Sequence, residues 1–167
     1  MLDGAWLRQW AEPYASFLQG YNLACILTLP SYQRKGYGKF LIQMSYELSK
    51  IEQKVGTPER PLSDLGRVSY HGYWSRIILQ MIQRREGSIS IKDISDASAI
   101  RPDDIISTLH QLNLIQYYKG AHCLCAEPKI VEKYLKQAGG PGLEVDPSKI
   151  VWQPYNWERD YRDMGKK

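Results

Sequence analysis

The run Gln33-Arg34-Lys35-Gly36-Tyr37-Gly38-Lys39 sets two glycines two residues apart among three cationic side chains. Gly36 and Gly38 carry no side chains, so backbone N–H groups there could approach a diphosphate closely, while Arg34, Lys35 and Lys39 add positive charge. A Gly-x-Gly ahead of a helix can equally be a plain turn. The Walker spacing is missing, and no third glycine completes a dinucleotide fingerprint. A second candidate is Glu59, in Gly56-Thr57-Pro58-Glu59-Arg60-Pro61. Two prolines restrict this backbone and hold the carboxylate's direction more firmly than an ordinary loop would, which suits a proton acceptor. The competing reading is a solvated loop glutamate. Cys25 offers a thiol within the apolar run from Leu23 to Leu29. Burial there would raise its pKa and suppress its reactivity, so a small buried hydrophobe is the alternative.

These residues need elements to position them. Leu23 to Leu29 is short, rich in branched and apolar residues and closed by Pro30, which predicts a buried strand. Phe40 to Ile51 has apolar residues at helical spacing, and a helix dipole aimed at the glycine loop would add about 0.3–1 kcal/mol for an anion. From Leu62 to about Arg85, the residues Leu65, Val68, Tyr73, Ile77, Ile78, Met81 and Ile82 form a helix-period face. Ser63 or Asp64 can cap it, and Gly87 ends it. There follow a short Ile89-Ser90-Ile91 strand, helices from about Lys92 to Ser98 and Pro102 to Leu112, and strands Ile115–Tyr118 and His122–Ala126 around Lys119-Gly120. Helix, turn, helix and a two-stranded ribbon read as a winged-helix-like unit. Asp103 and Asp104 at the start of its second helix would repel a phosphate backbone, which argues against DNA recognition and for a structural role. His122, Cys123 and Cys125 alternate along a strand, so no more than two of them share a face and no metal site is expected.

With 167 residues and a net charge of +4, the chain can bury one sizeable core or two small ones, about 68–70% of its unfolded surface. Acidic and basic residues are interspersed, which excludes a polycation made for coating nucleic acid. No stretch of about 20 apolar residues exists, so no membrane span is expected. Asp3, Arg8 and Glu12 interrupt the first residues, unlike a signal peptide. Three cysteines form no even disulfide framework, which points to a reducing compartment. Trp6, Leu7, Trp10, Tyr14, Phe17 and Leu18 could line a short amphipathic helix interrupted by Pro13, Gly139-Gly140-Pro141-Gly142 reads as a linker, and Asp146 to Lys167 as a tail partly docked through Trp152 and Trp157.

The order strand, Gln-Arg-Lys-Gly-Tyr-Gly-Lys, helix resembles the Gln/Arg-x-x-Gly-x-Gly/Ala signature of acetyl-coenzyme A binding N-acetyltransferases. Ala24 to Lys39, then Gly56-Thr57-Pro58-Glu59-Arg60-Pro61-Leu62-Ser63-Asp64-Leu65-Gly66 and Ser69-Tyr70-His71-Gly72-Tyr73-Trp74, is similar to MYST-type histone acetyltransferases. The similarity runs from Tyr21 to about Trp157 and is densest up to Trp74. Beyond that, Ser90-Ile91-Lys92 and Asp104-Ile105-Ile106-Ser107-Thr108-Leu109 still fit.

The resemblance implies an α+β fold: a partial GNAT-like acetyl-CoA-binding core over residues 21–86, a winged-helix-like subdomain over 87–138, and a linker and tail over 139–167. Residues 1–20 form a leader unlike the family, where further strands and a zinc-binding module would stand. Acetyl-CoA is the implied cofactor. Ile26, Leu27 and Thr28 would pair through their backbone with its pantetheine arm. Gln33, Arg34, Lys35, Gly36, Tyr37, Gly38 and Lys39 would hold its diphosphate, and Ser63 matches a further contact. Gly72 stands where many relatives have a contacting serine. Glu59 matches the general base that takes the proton from a lysine ammonium, whose ordinary pKa is about 10.4. Cys25 matches a cysteine beside the acetyl group whose role as acyl acceptor is disputed against direct attack, and direct attack is the reading adopted. The implied acceptor is a histone tail, with H4 favoured. The implied partners are chromatin complex subunits and the implied location is the nucleus, with neither sequence-specific DNA binding nor a membrane. The rival reading is a catalytically inactive fragment or isoform that acts only as a binding module.

Overall fold

The helix expected from Phe40 begins three residues earlier, in the glycine loop itself. In the computed structural model, which describes residues 20–85, 87–118, 121–124, 126–140 and 142–152, this helix is α1 (Tyr37–Ile51). Its buried stripe is Ile42, Ser45, Tyr46 and Ser49, the spacing of one helix face. The two buried hydroxyls are satisfied within the helix, Ser45 Oγ donating to Ile42 O at 2.8 Å and Ser49 Oγ to Ser45 O at 2.9 Å.

Beside it lies a short parallel pair, β1 (Tyr21–Leu23) and β2 (Thr57–Pro58), in the register Tyr21 to Thr57 and Leu23 to Pro58. The 21-residue helix α2 (Asp64–Arg84) is capped as expected, Ser63 Oγ accepting from the Gly66 N–H at 3.1 Å. Tyr70, Tyr73, Trp74, Ile78 and Leu79 on α2 are buried and form the spine of the core. Next come α3 (Ile91–Ser98), α4 (Pro102–Gln111), the antiparallel ribbon β3 (Ile115–Tyr118) with β4 (Ala121–Leu124), and α5 (Pro128–Ala138). α2 packs against α1, α3, α4 and α5, so one apolar cluster joins Ile42 and Tyr46 of α1 to Ile94, Ile105, Leu109 and Val131. The fold is thus mixed and helix-rich with small sheets, in keeping with the α+β expectation. Among the described residues no helix is long and apolar enough to cross a membrane.

Four expectations need correction. The strand forecast from Leu23 to Leu29 stops at Leu23, and the next six residues pair with no strand among the described residues. Among the described residues β1 has one neighbour, β2, which is two residues long, and the apolar side chains beyond it that looked buried are open: Leu27 is 84% and Leu29 61% exposed. Ile89-Ser90-Ile91 is not a strand. Ser90 Oγ accepts from the Asp93 N–H while Asp93 Oδ2 accepts from the Ser90 N–H, and this reciprocal cap starts α3 at Ile91. The apolar face of α2 does not reach its first turn, since Leu65 and Val68 stand out to solvent. α5 was not foreseen, although Pro128 in its first turn and Val131, Tyr134 and Leu135 against the core are helix signals.

Residues 1–19 of the leader expected over 1–20, the tail around Trp157, Cys125 and the side chains of His122 and Cys123 fall outside the described residues. Trp152 does reach back to the body, its Nε1 donating to Glu52 Oε1 at 3.2 Å.

Candidate functional site

The glycine loop is built by local bonds. A 3-10 turn over Pro30–Tyr32 is closed by the Tyr32 N–H on Leu29 O at 2.8 Å, and Gln33 Nε2 donates to Thr28 O at 3.1 Å. Gly36 is the N-cap of α1 with φ +89°, the left-handed region open to glycine at little cost. A Cβ added there would meet Leu143 only at ordinary distance, so the backbone angle, not space, requires glycine. Gly38 differs. A Cβ there would meet nothing within 4 Å, which leaves that side of the first turn bare. The first N–H groups of a helix have no acceptor within it, and α1 carries no acid in its first turn to compete for them. Arg34, Lys35 and Lys39 are all exposed around this turn, and Lys35 Nζ lies 5.4 Å from the Tyr32 ring centre. Such an arrangement of free N–H groups and cations is able to hold an anion.

Glu59 is held from three sides. Its N–H donates to Leu23 O at 3.0 Å, which anchors it to β1. Thr57 Oγ1 donates to Asp104 Oδ2 at 2.7 Å, and Arg60 is ion-paired through Nη2 to Asp104 Oδ1, so one carboxylate of α4 grips both flanks. The Gly56 N–H donates to Ala99 O at 2.7 Å and the Arg101 N–H to Gly56 O at 3.3 Å, which ties the strand to the α3–α4 turn. A side chain at Gly56 would collide with Asn22 at 2.6–2.7 Å, so this glycine is required by space. The Glu59 side chain itself is exposed.

Because β1 and β2 are parallel, both chains leave the pair at the same end. Glu59 follows Pro58, and Cys25 follows Leu23 by two residues, so both issue from that end, and Ile26 to Thr28 lead from it to the glycine loop. Cys25 is exposed, which overturns the buried thiol expected from its apolar run. Ser63 is exposed and engaged as the cap of α2, while its hydroxyl keeps a proton to donate.

Sequence reasoning missed Asp104 as a site component. It read Asp103 and Asp104 together as exposed acids, whereas Asp104 is 1% exposed and neutralised by Arg60, so only Asp103 faces solvent. Beside the Glu59 loop lies a cleft of about 440 Å³ whose lining includes Arg60, Leu62, Arg67, His71, Trp74 and Ser107. Burial lowers the pKa of His71, opposed by the Asp104 charge, so the ring is neutral near pH 7. The neutral ring can accept at Nε2 from Gln111 Nε2, 3.2 Å away.

The sequence profile of the MOZ/SAS family matches residues 14–150. The chain belongs to the MOZ/SAS family. Over 137 residues, 82% of its length, this MOZ/SAS member is 64% identical to Histone acetyltransferase of the MYST family 2 from Arabidopsis thaliana. Over 135 residues, 81% of its length, it is 46% identical to Histone acetyltransferase ESA1 of Saccharomyces cerevisiae. These matches cover 31% and 30% of the two relatives, so the chain spans about a third of their length. The matched region of the MOZ/SAS member contains both the glycine loop and Glu59.

Proposed function

We propose that this chain carries the acetyl-CoA cradle and the proton acceptor of a histone lysine N-acetyltransferase. The observation that carries the reading is the parallel pair β1–β2, which delivers Glu59 and the Cys25-to-glycine-loop segment from one end. Acetyl-CoA, when bound, supplies an acetyl group activated as a thioester. The residues fit that group. The first turn of α1 offers unclaimed N–H groups, a bare Gly38 and three exposed cations to the diphosphate. The backbone of Ile26, Leu27 and Thr28, which joins no strand among the described residues, offers peptide groups to the amides of the arm, with Thr28 O already accepting from Gln33 Nε2, and Ser63 offers a hydroxyl. Glu59 takes the proton of the acceptor ammonium, so that the neutral nitrogen attacks directly, with Cys25 lining the site.

In this reading residues 21–86 form a partial GNAT-like core and 87–138 a winged-helix-like subdomain whose task is to support the core rather than to read DNA. The acceptor is a histone tail, with H4 favoured, in the nucleus and within chromatin complexes. Relatives named histone acetyltransferases support a histone as the acceptor.

The test is transfer of labelled acetyl from acetyl-CoA to an H4-tail peptide by the full chain, with Glu59→Gln as control. Turnover that falls about a hundredfold or more in the variant is expected. Equal rates at neutral pH would remove Glu59 from the mechanism. A second reading, a binding module without turnover, is favoured by the open apolar segment with Cys25, Leu27 and Leu29 exposed, since an uncovered edge recruits another chain. A folded wild-type chain that binds acetyl-CoA without turnover would support it.

A further inference from the structure

We propose that Asp104, from the C-terminal half, is a positioning residue for Glu59, which rests on reading Glu59 as the proton acceptor. A general base must sit within hydrogen-bond reach of the proton it takes, so a loop carrying it needs restraint beyond its own sequence. Prolines 58 and 61 limit backbone angles but do not tie the loop to the body. Asp104 does. Its two oxygens take separate partners, Thr57 Oγ1 on Oδ2 and Arg60 on Oδ1, so the restraint is applied two residues before Glu59 and one after it.

The carboxylate is 1% exposed and Thr57 is also buried, so the bond between them cannot exchange freely for water, whereas the Arg60 side chain is 56% exposed and holds the carboxylate from the solvent side. Charge-assisted hydrogen bonds are about twice as strong as neutral ones, and a buried carboxylate that loses a partner is heavily penalised, so the clamp has one favoured arrangement. Asp104 itself is anchored. It lies in the first turn of α4, next to the Arg101 N–H that donates to Gly56 O, and α4 packs against α2 and α3. The α3–α4 unit is thereby a rigid mount for the strand that presents the base. The Asp104 bonds to Thr57 and Arg60 span 47 and 44 residues, so the Glu59 loop is tied to the part of the chain that follows α2.

The experiment compares Asp104→Asn and Thr57→Val with the wild-type full chain in two readouts. Asp104→Asn keeps an acceptor for Thr57 and loses the charge held against Arg60. Thr57→Val removes one hydroxyl at nearly constant shape, and it stands in should Asp104→Asn fail to fold. In amide hydrogen exchange, the Glu59 N–H bonded to Leu23 O should exchange about tenfold faster or more in each variant. The amides of Tyr73 and Ile78 in α2 should stay unchanged. Equal acceleration throughout, or none at Glu59, overturns the proposal whatever the turnover.

In acetyl transfer, kcat should fall about tenfold with KM for acetyl-CoA held within about twofold. In the Glu59→Gln background the same substitution should cost nothing further, because residues that act through one another are not additive. The same loss in both backgrounds overturns positioning and leaves the base reading intact. Wild-type turnover by Glu59→Gln alone overturns the base reading first, a result recognisable without the Asp104 variants.

Discussion

Trp74 Nε1 donates a 2.7 Å hydrogen bond to Tyr46 Oη, and both residues are buried where α1 meets α2. α1 begins at the glycine loop and α2 begins just after Glu59, so this bond fixes the two halves of the candidate site to each other. The Tyr46 ring also stacks on Tyr73 with centres 5.0 Å apart. Burial raises the Tyr46 pKa well above its ordinary value, so the phenol stays neutral.

Tyr46→Phe keeps the stack and strands a buried indole N–H. The expected loss is about 1–3 kcal/mol of folding stability, read from denaturant midpoints. A change within about 0.5 kcal/mol would show that the bond contributes little.

Gly36→Ala and Gly38→Ala should separate strain from access. At φ +89° an alanine at position 36 costs about 1–2 kcal/mol of stability. Position 38 lies inside α1 with open space around it, where alanine is the better helix former by about 1 kcal/mol. Gly38→Ala should therefore melt no lower than wild type and bind acetyl-CoA at least about tenfold more weakly, by calorimetry. Unchanged affinity would place the diphosphate elsewhere.

His71 links stability to pH. Its folded pKa is lowered from 6.5 by burial, so below about pH 6.5 the unfolded chain binds a proton that the folded chain resists. Stability is then fully present above about pH 6.5 and declines as the pH falls toward the folded pKa. His71→Gln should lose less stability than wild type between about pH 7.5 and about pH 5.5, compared by urea unfolding. An equal loss in both chains would exclude His71 as the cause.

Cys25 is exposed beside the end of the sheet, where a thiol could react. With direct attack by the acceptor amine, Cys25→Ser should keep turnover within about threefold. A loss of about a hundredfold, with trapped acetyl on the wild-type chain, would instead identify Cys25 as an acyl acceptor.

Much of the fold was legible because its signals are local. The periodicity of Ile42 and Tyr46 and the Ser63 cap on the Gly66 N–H both act within a few residues. The glycine loop was legible for the same reason: its cations, its φ-positive Gly36 and its helix start are contiguous. Where two local signals competed, the reading went astray. Ile89-Ser90-Ile91 looked like a strand by its branched residues, but Asp93 Oδ2 accepts from the Ser90 N–H while Ser90 Oγ accepts from the Asp93 N–H, and this capping box prevailed.

The sequence by itself determined α1, α2 with its Ser63 cap, and α4, and it singled out the glycine-loop residues and Glu59 as candidates. Only the tertiary structure decided that Leu27 and Cys25 stand in the open, that β1 and β2 present their ends together, and that Asp104 turns from a surface acid into the clamp on Thr57 and Arg60. Caps and periodicity are set by hydrogen bonds and burial within a turn or two of chain. A bond across 47 residues depends on the whole core closing first, and no short window of sequence records which partner that closure delivers.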